Sequence, residues 1–112
     1  TTITTREALA WVTVEGARML GQLHRIGTLA PGKQADLVLV RADMLNMQPV
    51  HDPVSTVVMQ TTLANIDSVM VAGRWRKREG RLLEAGVPAL LARLAQSGRK
   101  ITQALGLPTT AH

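Results

Sequence analysis

Three histidines, at positions 24, 51 and 112, are the residues of this 112-residue sequence best suited to proton transfer or metal ligation. None stands in an H-x-H or H-x₃-H spacing, so local spacing assembles no metal site. His51-Asp52 has the composition of a base–carboxylate dyad, but neighbours on an extended segment point to opposite faces. A general base must also hold its orienting partner on one side and reach the substrate on the other. Each histidine therefore reads as a loop or tail residue. Ser55, Ser68 and Ser97 lack the surrounding G-x-S-x-G that would expose a nucleophile on a sharp turn. With no cysteine, thiolate nucleophiles, thiolate metal sites and disulfides are all excluded. Gly32-Lys33 lacks the spaced glycine and following Ser/Thr of a phosphate loop and reads as a turn. Met44, Met47 and Met59 read as packing residues. The sequence thus predicts no catalytic, cofactor-binding or metal-ligating residue in this chain.

Charge is the other feature that could mark a partner. Residues 74–100 carry eight Lys/Arg and two Glu, a local +6 within a net charge of +5. Arg74, Arg76, Lys77, Arg78 and Arg81 crowd one short stretch, which invites a nucleic-acid reading. Stacking on bases needs aromatic side chains, and the chain has no Phe or Tyr and only Trp11 and Trp75. The stretch is read instead as a solvated strand face whose charges discourage edge-to-edge pairing, and no nucleic-acid partner is expected. No apolar run approaches the ~20 residues that span a bilayer, and the first residues lack the basic and apolar regions of a signal peptide. A cytoplasmic chain with no membrane partner is the expectation.

The elements follow from periodicity and turn chemistry. At 46% hydrophobic, 112 residues suffice for one small domain with an aliphatic core. Thr4 and Glu7 have the capping-box spacing, and Ala8, Leu9, Trp11 and Val12 follow as an apolar face. A helix is predicted over 5–20, with a break and second start near Thr13 and a stop at Gly21. Pro31-Gly32 signals a type II turn, and Leu37–Val40 a strand buried on both faces. Asp36, just before it, is expected to accept hydrogen bonds from the preceding turn. Residues 42–55 read as irregular and 54–59 as a strand or short helical turn. Residues 66–71 and 74–77 form a hairpin about Ala72-Gly73, with Met70 facing Trp75 and Val71 facing Arg74. Glu79-Gly80 makes the next turn. Val87, Leu90, Leu91, Leu94, Gly98, Ile101 and Leu105 recur at helical spacing after Pro88, at the first helical position, and Gly106 and Pro108 end that helix.

Three segments in order carry a resemblance: Thr13-Val-Glu-Gly-Ala-Arg-Met-Leu-Gly21, Ile26-Gly-Thr-Leu-Ala-Pro-Gly-Lys-Gln-Ala-Asp-Leu-Val-Leu-Val40 and Val69-Met-Val-Ala-Gly-Arg-Trp-Arg-Lys-Arg-Glu-Gly-Arg-Leu-Leu83. Together they resemble the C-terminal end of amidohydrolase-superfamily metal-dependent hydrolases, in the branch of cytosine- and guanine-type deaminases and triazine chlorohydrolases. The resemblance covers roughly residues 4–84. It implies an α+β arrangement: residues 1–23 as the helix after the last strand of a (β/α)₈ barrel, 24–84 as part of a small β-sandwich (the composite domain), 85–106 as a C-terminal helix and 107–112 as a tail. In that family strands from the extreme N-terminus complete the sandwich. The metal ligands, an H-x-H pair, two later histidines and an aspartate, would all precede Thr1.

The resemblance implies a parent enzyme that hydrolyses carbon–nitrogen bonds other than peptide bonds with a Zn²⁺- or Fe²⁺-activated water. It implies no activity for these residues alone. The expected partners are the remainder of that hydrolase and, because a sheet without its neighbours has an open edge, a second copy of the chain in a homo-oligomer. The alternative is a free-standing, non-catalytic binding or oligomerisation module.

Overall fold

The computed structural model of the chain describes residues 2–108; His112 and the rest of the predicted tail beyond Pro108 lie outside them. The first helix starts as its sequence dictates. The Thr4 hydroxyl accepts from the Glu7 N–H at 3.1 Å, and the Glu7 carboxylate accepts from the Thr4 N–H at 2.8 Å, so two otherwise free donors are satisfied reciprocally. Helix α1 (Thr5–Ala10) runs into a wider π-helical turn (Trp11–Glu15) and then α2 (Gly16–Met19). The expected break at Thr13 is therefore a π turn without interruption. Thr13 caps nothing: its hydroxyl donates back to the Leu9 carbonyl at 2.8 Å. Gly16 suits this turn, since a Cβ there would stand 3.1 Å from the Trp11 carbonyl oxygen. The helix stops at Gly21 (φ +68), with Gly21 and Gln22 donating to the Arg18 and Ala17 carbonyls, which satisfies two of the terminal acceptors.

The chain then doubles back over its own helix. Gly27, at φ +96, crosses so close to Ala17 that an added Cβ would lie 2.7 Å from the alanine methyl. This is why Ala17 is one of only two buried apolar side chains among the described residues. The Pro31-Gly32 turn closes with Lys33 N–H on the Ala30 carbonyl at 3.1 Å, as expected of type II.

Four strands form one antiparallel sheet in the order β1 (Leu37–Val40), β2 (Ile66–Val71), β3 (Arg74–Arg78), β4 (Arg81–Leu82). Met70 pairs with Trp75 and Val71 with Arg74. Ala72-Gly73 and Glu79-Gly80 both have positive φ at both positions, the geometry that matches the right-handed twist of the flanking strands. Strand β1 is an edge with β2 as its single neighbour, and Val38 and Leu39 are each about half exposed. The expected burial of both faces is thus not met within the described residues. Asp36 also differs from expectation. Its carboxylate accepts from the Ala72 N–H at 2.6 Å, at the β2–β3 turn, and not from the turn before it.

Between β1 and β2 the chain is less irregular than expected. A 3₁₀ turn (Leu45–Met47) precedes helix α3 (Pro53–Gln60), and a second 3₁₀ turn (Leu63–Asn65) follows. Residues 54–59 are helical because Asp52 caps the first turn and Pro53 occupies its first position. Helix α3 packs on α1, where the Ser55 and Thr5 hydroxyls meet at 2.9 Å. Helix α4 (Val87–Ala104) closes the order, with Pro88 at its second position, one later than expected, and none of its residues buried. The radius of gyration is 19.2 Å, against about 13 Å for a compact domain of this length. No helix among the described residues is long and apolar enough to cross a membrane.

Candidate functional site

The polar residues that the sequence offers for chemistry are either held in local hydrogen bonds or exposed. Asp52 turns into α3, accepting from the Val54 N–H at 3.2 Å and from the Ser55 hydroxyl at 2.6 Å. The Ser55 bond, and then the backbone bonds, hold its carboxyl below the usual carboxylate range. His51 is exposed beside it and forms no dyad with it. His24 is likewise exposed on the loop after α2. Lys33 reaches back to donate to the Leu23 carbonyl at 2.6 Å, so its ammonium pins a loop and not a phosphate. Ser68 is buried, donating to Asp67 at 2.7 Å and accepting from the Glu79 N–H at 3.3 Å, which clamps the second hairpin turn. Ser97 is exposed on α4. Among the described residues no three His, Asp or Glu side chains come together as a metal would require.

Two side chains of the basic hairpin pair locally. Arg76 meets Glu84 at 2.9 Å, and the Arg78 guanidinium lies 5.0 Å from the centre of the Trp75 ring. Trp75 thus spends its ring face on an intrachain cation.

Two features escaped the sequence reading. One is Asn65, fully buried. Its Oδ1 accepts from Asn46 Nδ2 at 2.7 Å and from the Thr62 N–H and hydroxyl at 2.8 and 3.0 Å, while its Nδ2 donates to Asn46 Oδ1 at 3.1 Å. This knot ties both 3₁₀ turns together beside the buried Met47. The T-x-x-N spacing from Thr62, which mimics a capping box, is the one local signal that could have flagged it.

The other is an open apolar trough of about 840 Å³ between the N-terminal helical segment and the β1–β2 face. Val12, Met19, Leu29, Val38, Val69 and Val71 contribute to its walls. Exposed apolar surface on this scale marks an interaction face or a ligand groove. What this arrangement can do is hold something against itself.

Residues 1–76 match the model of the amidohydrolase family. The chain is 44% identical over 91 residues to an 8-oxoguanine deaminase of Pseudomonas aeruginosa, covering 81% of this chain and 20% of that protein. It is 33% identical over 99 residues to a 5-methylthioadenosine/S-adenosylhomocysteine deaminase of Teredinibacter turnerae, covering 88% and 22%. Among solved structures, an adenosine deaminase from Xanthomonas campestris with bound zinc superposes with a TM-score of 0.82 at 32% identity, covering 89% of this chain and 23% of that one. An atrazine chlorohydrolase from Arthrobacter aurescens superposes at 0.74 with 27% identity, covering 83% and 20%. The chain spans about a fifth of the length of these relatives.

Proposed function

The chain belongs to the amidohydrolase family, and from that premise we propose that it is the non-catalytic C-terminal scaffold of a cytoplasmic, deaminase-like hydrolase acting on carbon–nitrogen bonds. Its partner in that role is the remainder of the same enzyme, whose barrel would hold the zinc or iron that activates water. The observation that carries the reading is the pairing of committed polar groups with an uncommitted apolar face. Lys33 and Asp36, in the most family-like segment, are spent on the Leu23 carbonyl and the Ala72 N–H. The trough and the free edge of β1 stay open. An edge strand with one bare side accepts further strands, and an apolar trough accepts a barrel flank. The names of the relatives, deaminases of purine-type compounds, support the reaction class.

A segment exchange tests this. The 91 residues of the Pseudomonas aeruginosa 8-oxoguanine deaminase that align with this chain would be replaced by this chain's own. A scaffold predicts that deaminase activity survives within about tenfold and that substrate preference does not move, since a scaffold makes no contact that strengthens in the transition state. The chain alone should show neither stoichiometric metal nor turnover. Turnover by the chain alone, or a substrate preference that travels with the segment, would overturn the proposal.

A further inference from the structure

Met44 reads from its sequence as a packing residue, yet its sulfur also accepts a hydrogen bond. The amide nitrogen of Asn65 donates to it at 3.2 Å, and among the described residues no other methionine sulfur is used in this way. Asn65 is fully buried, and its Oδ1 already holds the Asn46 amide and the Thr62 N–H and hydroxyl. Its amide therefore cannot turn over without stranding all three. Of the two hydrogens on Nδ2, one goes to Asn46 Oδ1 at 3.1 Å. The other has the Met44 sulfur, with the Arg41 carbonyl at 3.5 Å as a marginal second acceptor. Met44 is itself half-buried, between exposed neighbours at Asp43 and Leu45. Its side chain thus lies partly in water and partly against a buried amide. Neither Met44 nor Asn65 lines the trough.

We propose that Met44 is a redox-sensitive latch, whose oxidation to the sulfoxide by a peroxide releases Asn65 and loosens the C-terminal end of α3. A thioether sulfur has two lone pairs. One faces the Asn65 N–H, and the other attacks the peroxide. An S–O bond forms, the O–O bond breaks, two electrons pass from sulfur to peroxide, and the departing oxygen leaves as water. The product carries partial negative charge on its new oxygen and partial positive charge on sulfur. The Asn65 N–H then faces a like partial charge where it had an acceptor, and a buried donor without a partner keeps its full desolvation penalty. That penalty falls on the knot joining the turns on either side of α3, which also holds the Gln60 carbonyl through Asn46 at 2.9 Å. Helix α3 in turn packs on α1. A methionine sulfoxide reductase, converting two thiols to a disulfide and releasing the oxygen as water, reverses the step. The other methionines lack this coupling. Met19 and Met59 are 83% and 73% exposed, and Met47 is sealed from solvent.

The 112-residue chain has no cysteine, so hydrogen peroxide acts on its methionines without competition from thiols. Met19→Leu and Met59→Leu, both at exposed positions that tolerate the change, remove the two most accessible sulfurs from the background. Peptide mass spectrometry should then show Met44 converting before Met47. With Met44 oxidised, amide exchange within 53–65 should rise about tenfold, the effect of one stranded buried donor, while the hairpin over 66–78 changes less than about twofold. Sulfoxide reductase with dithiothreitol should restore the original rates. Met44→Leu keeps the volume but has no sulfur, so its exchange over 53–65 should be raised from the outset and peroxide should raise it no further. The same exchange measurement on the unsubstituted chain, before and after peroxide, reads the latch without any substitution. Met44 sulfoxide with unchanged exchange over 53–65, an equal rise in the hairpin, a Met44→Leu chain still loosened by peroxide, or Met44 still a thioether once Met47 has reacted would each overturn the proposal.

Discussion

Single side chains here work as fasteners. Asn65 is the most constrained of them, using both ends of its amide on four groups from two separate turns. Replacing it with leucine would bury an apolar chain among donors and acceptors that then lack partners, at about 1–3 kcal/mol for each group stranded. Asn65→Leu is therefore expected to lose at least ~2 kcal/mol in urea unfolding, with Asn46→Ala smaller because Asn46 is exposed. Asp52 makes a subtler prediction. Its folded carboxyl titrates below its unfolded value, through the Ser55 hydroxyl first. A depressed carboxylate contributes stability that is present above about pH 4 and is lost as pH falls through the lower folded value. Asp52→Asn keeps a capping oxygen but not the charge, so α3 should hold at pH 7 while its acid sensitivity shrinks. Asp52→Ala should reduce helicity across the whole pH range. Circular dichroism at 222 nm between pH 2 and 7 distinguishes the two, and identical acid profiles for wild type and Asp52→Asn would discard the assignment.

Elements form where local chemistry agrees with itself, and that also decides how much was legible in the sequence. The hairpin register was readable for the two pairs beside Ala72-Gly73, Val71 with Arg74 and Met70 with Trp75, but one step on it slips by a residue, Val69 pairing with Lys77. Over residues 54–59 the strand preference of Val54, Val57 and Val58 competes with the helix start at Asp52-Pro53, and the helix start wins. The partner of Asp36 could not be read at all: Ala72 lies 36 residues away and meets it only once β1 has paired with β2. The trough was not legible either, being a gap between elements that no local segment announces. Two substitutions test the turns. Ala72 sits at φ +50, where asparagine is at ease and alanine is not, so Ala72→Asn should gain about 1 kcal/mol in denaturant unfolding. Gly27→Ala should lose about 2 kcal/mol or more, since its methyl would collide with Ala17 on a backbone that L-residues avoid. Proteolysis within 22–34 should then accelerate as the loop lifts off the helix, and an unchanged cleavage rate would remove the crossing from the account.

At the scale of the whole molecule, the chain has surface where a domain of its length would have core. Ala17 and Met47 are the only apolar side chains buried among the described residues, while Val38, Leu39 and Met19 stand in the open. Burial is worth roughly 25 cal/mol for each Å², so side chains that bury nothing contribute almost nothing to this chain's own fold. Their value appears only when a partner covers them. This gives the trough a signature that a merely loose fold would not share. Val38→Glu should change the stability of the isolated chain by no more than about 0.5 kcal/mol, the usual range for an exposed position. Placed in the segment exchange with the deaminase, the same change would bury an unpaired carboxylate against the barrel flank at a cost of about 3 kcal/mol or more. Unfolding measured in both settings reads the difference directly. A matched small effect in the two would mean that the trough faces water in the assembled enzyme, and that the apolar face must be assigned to some other contact.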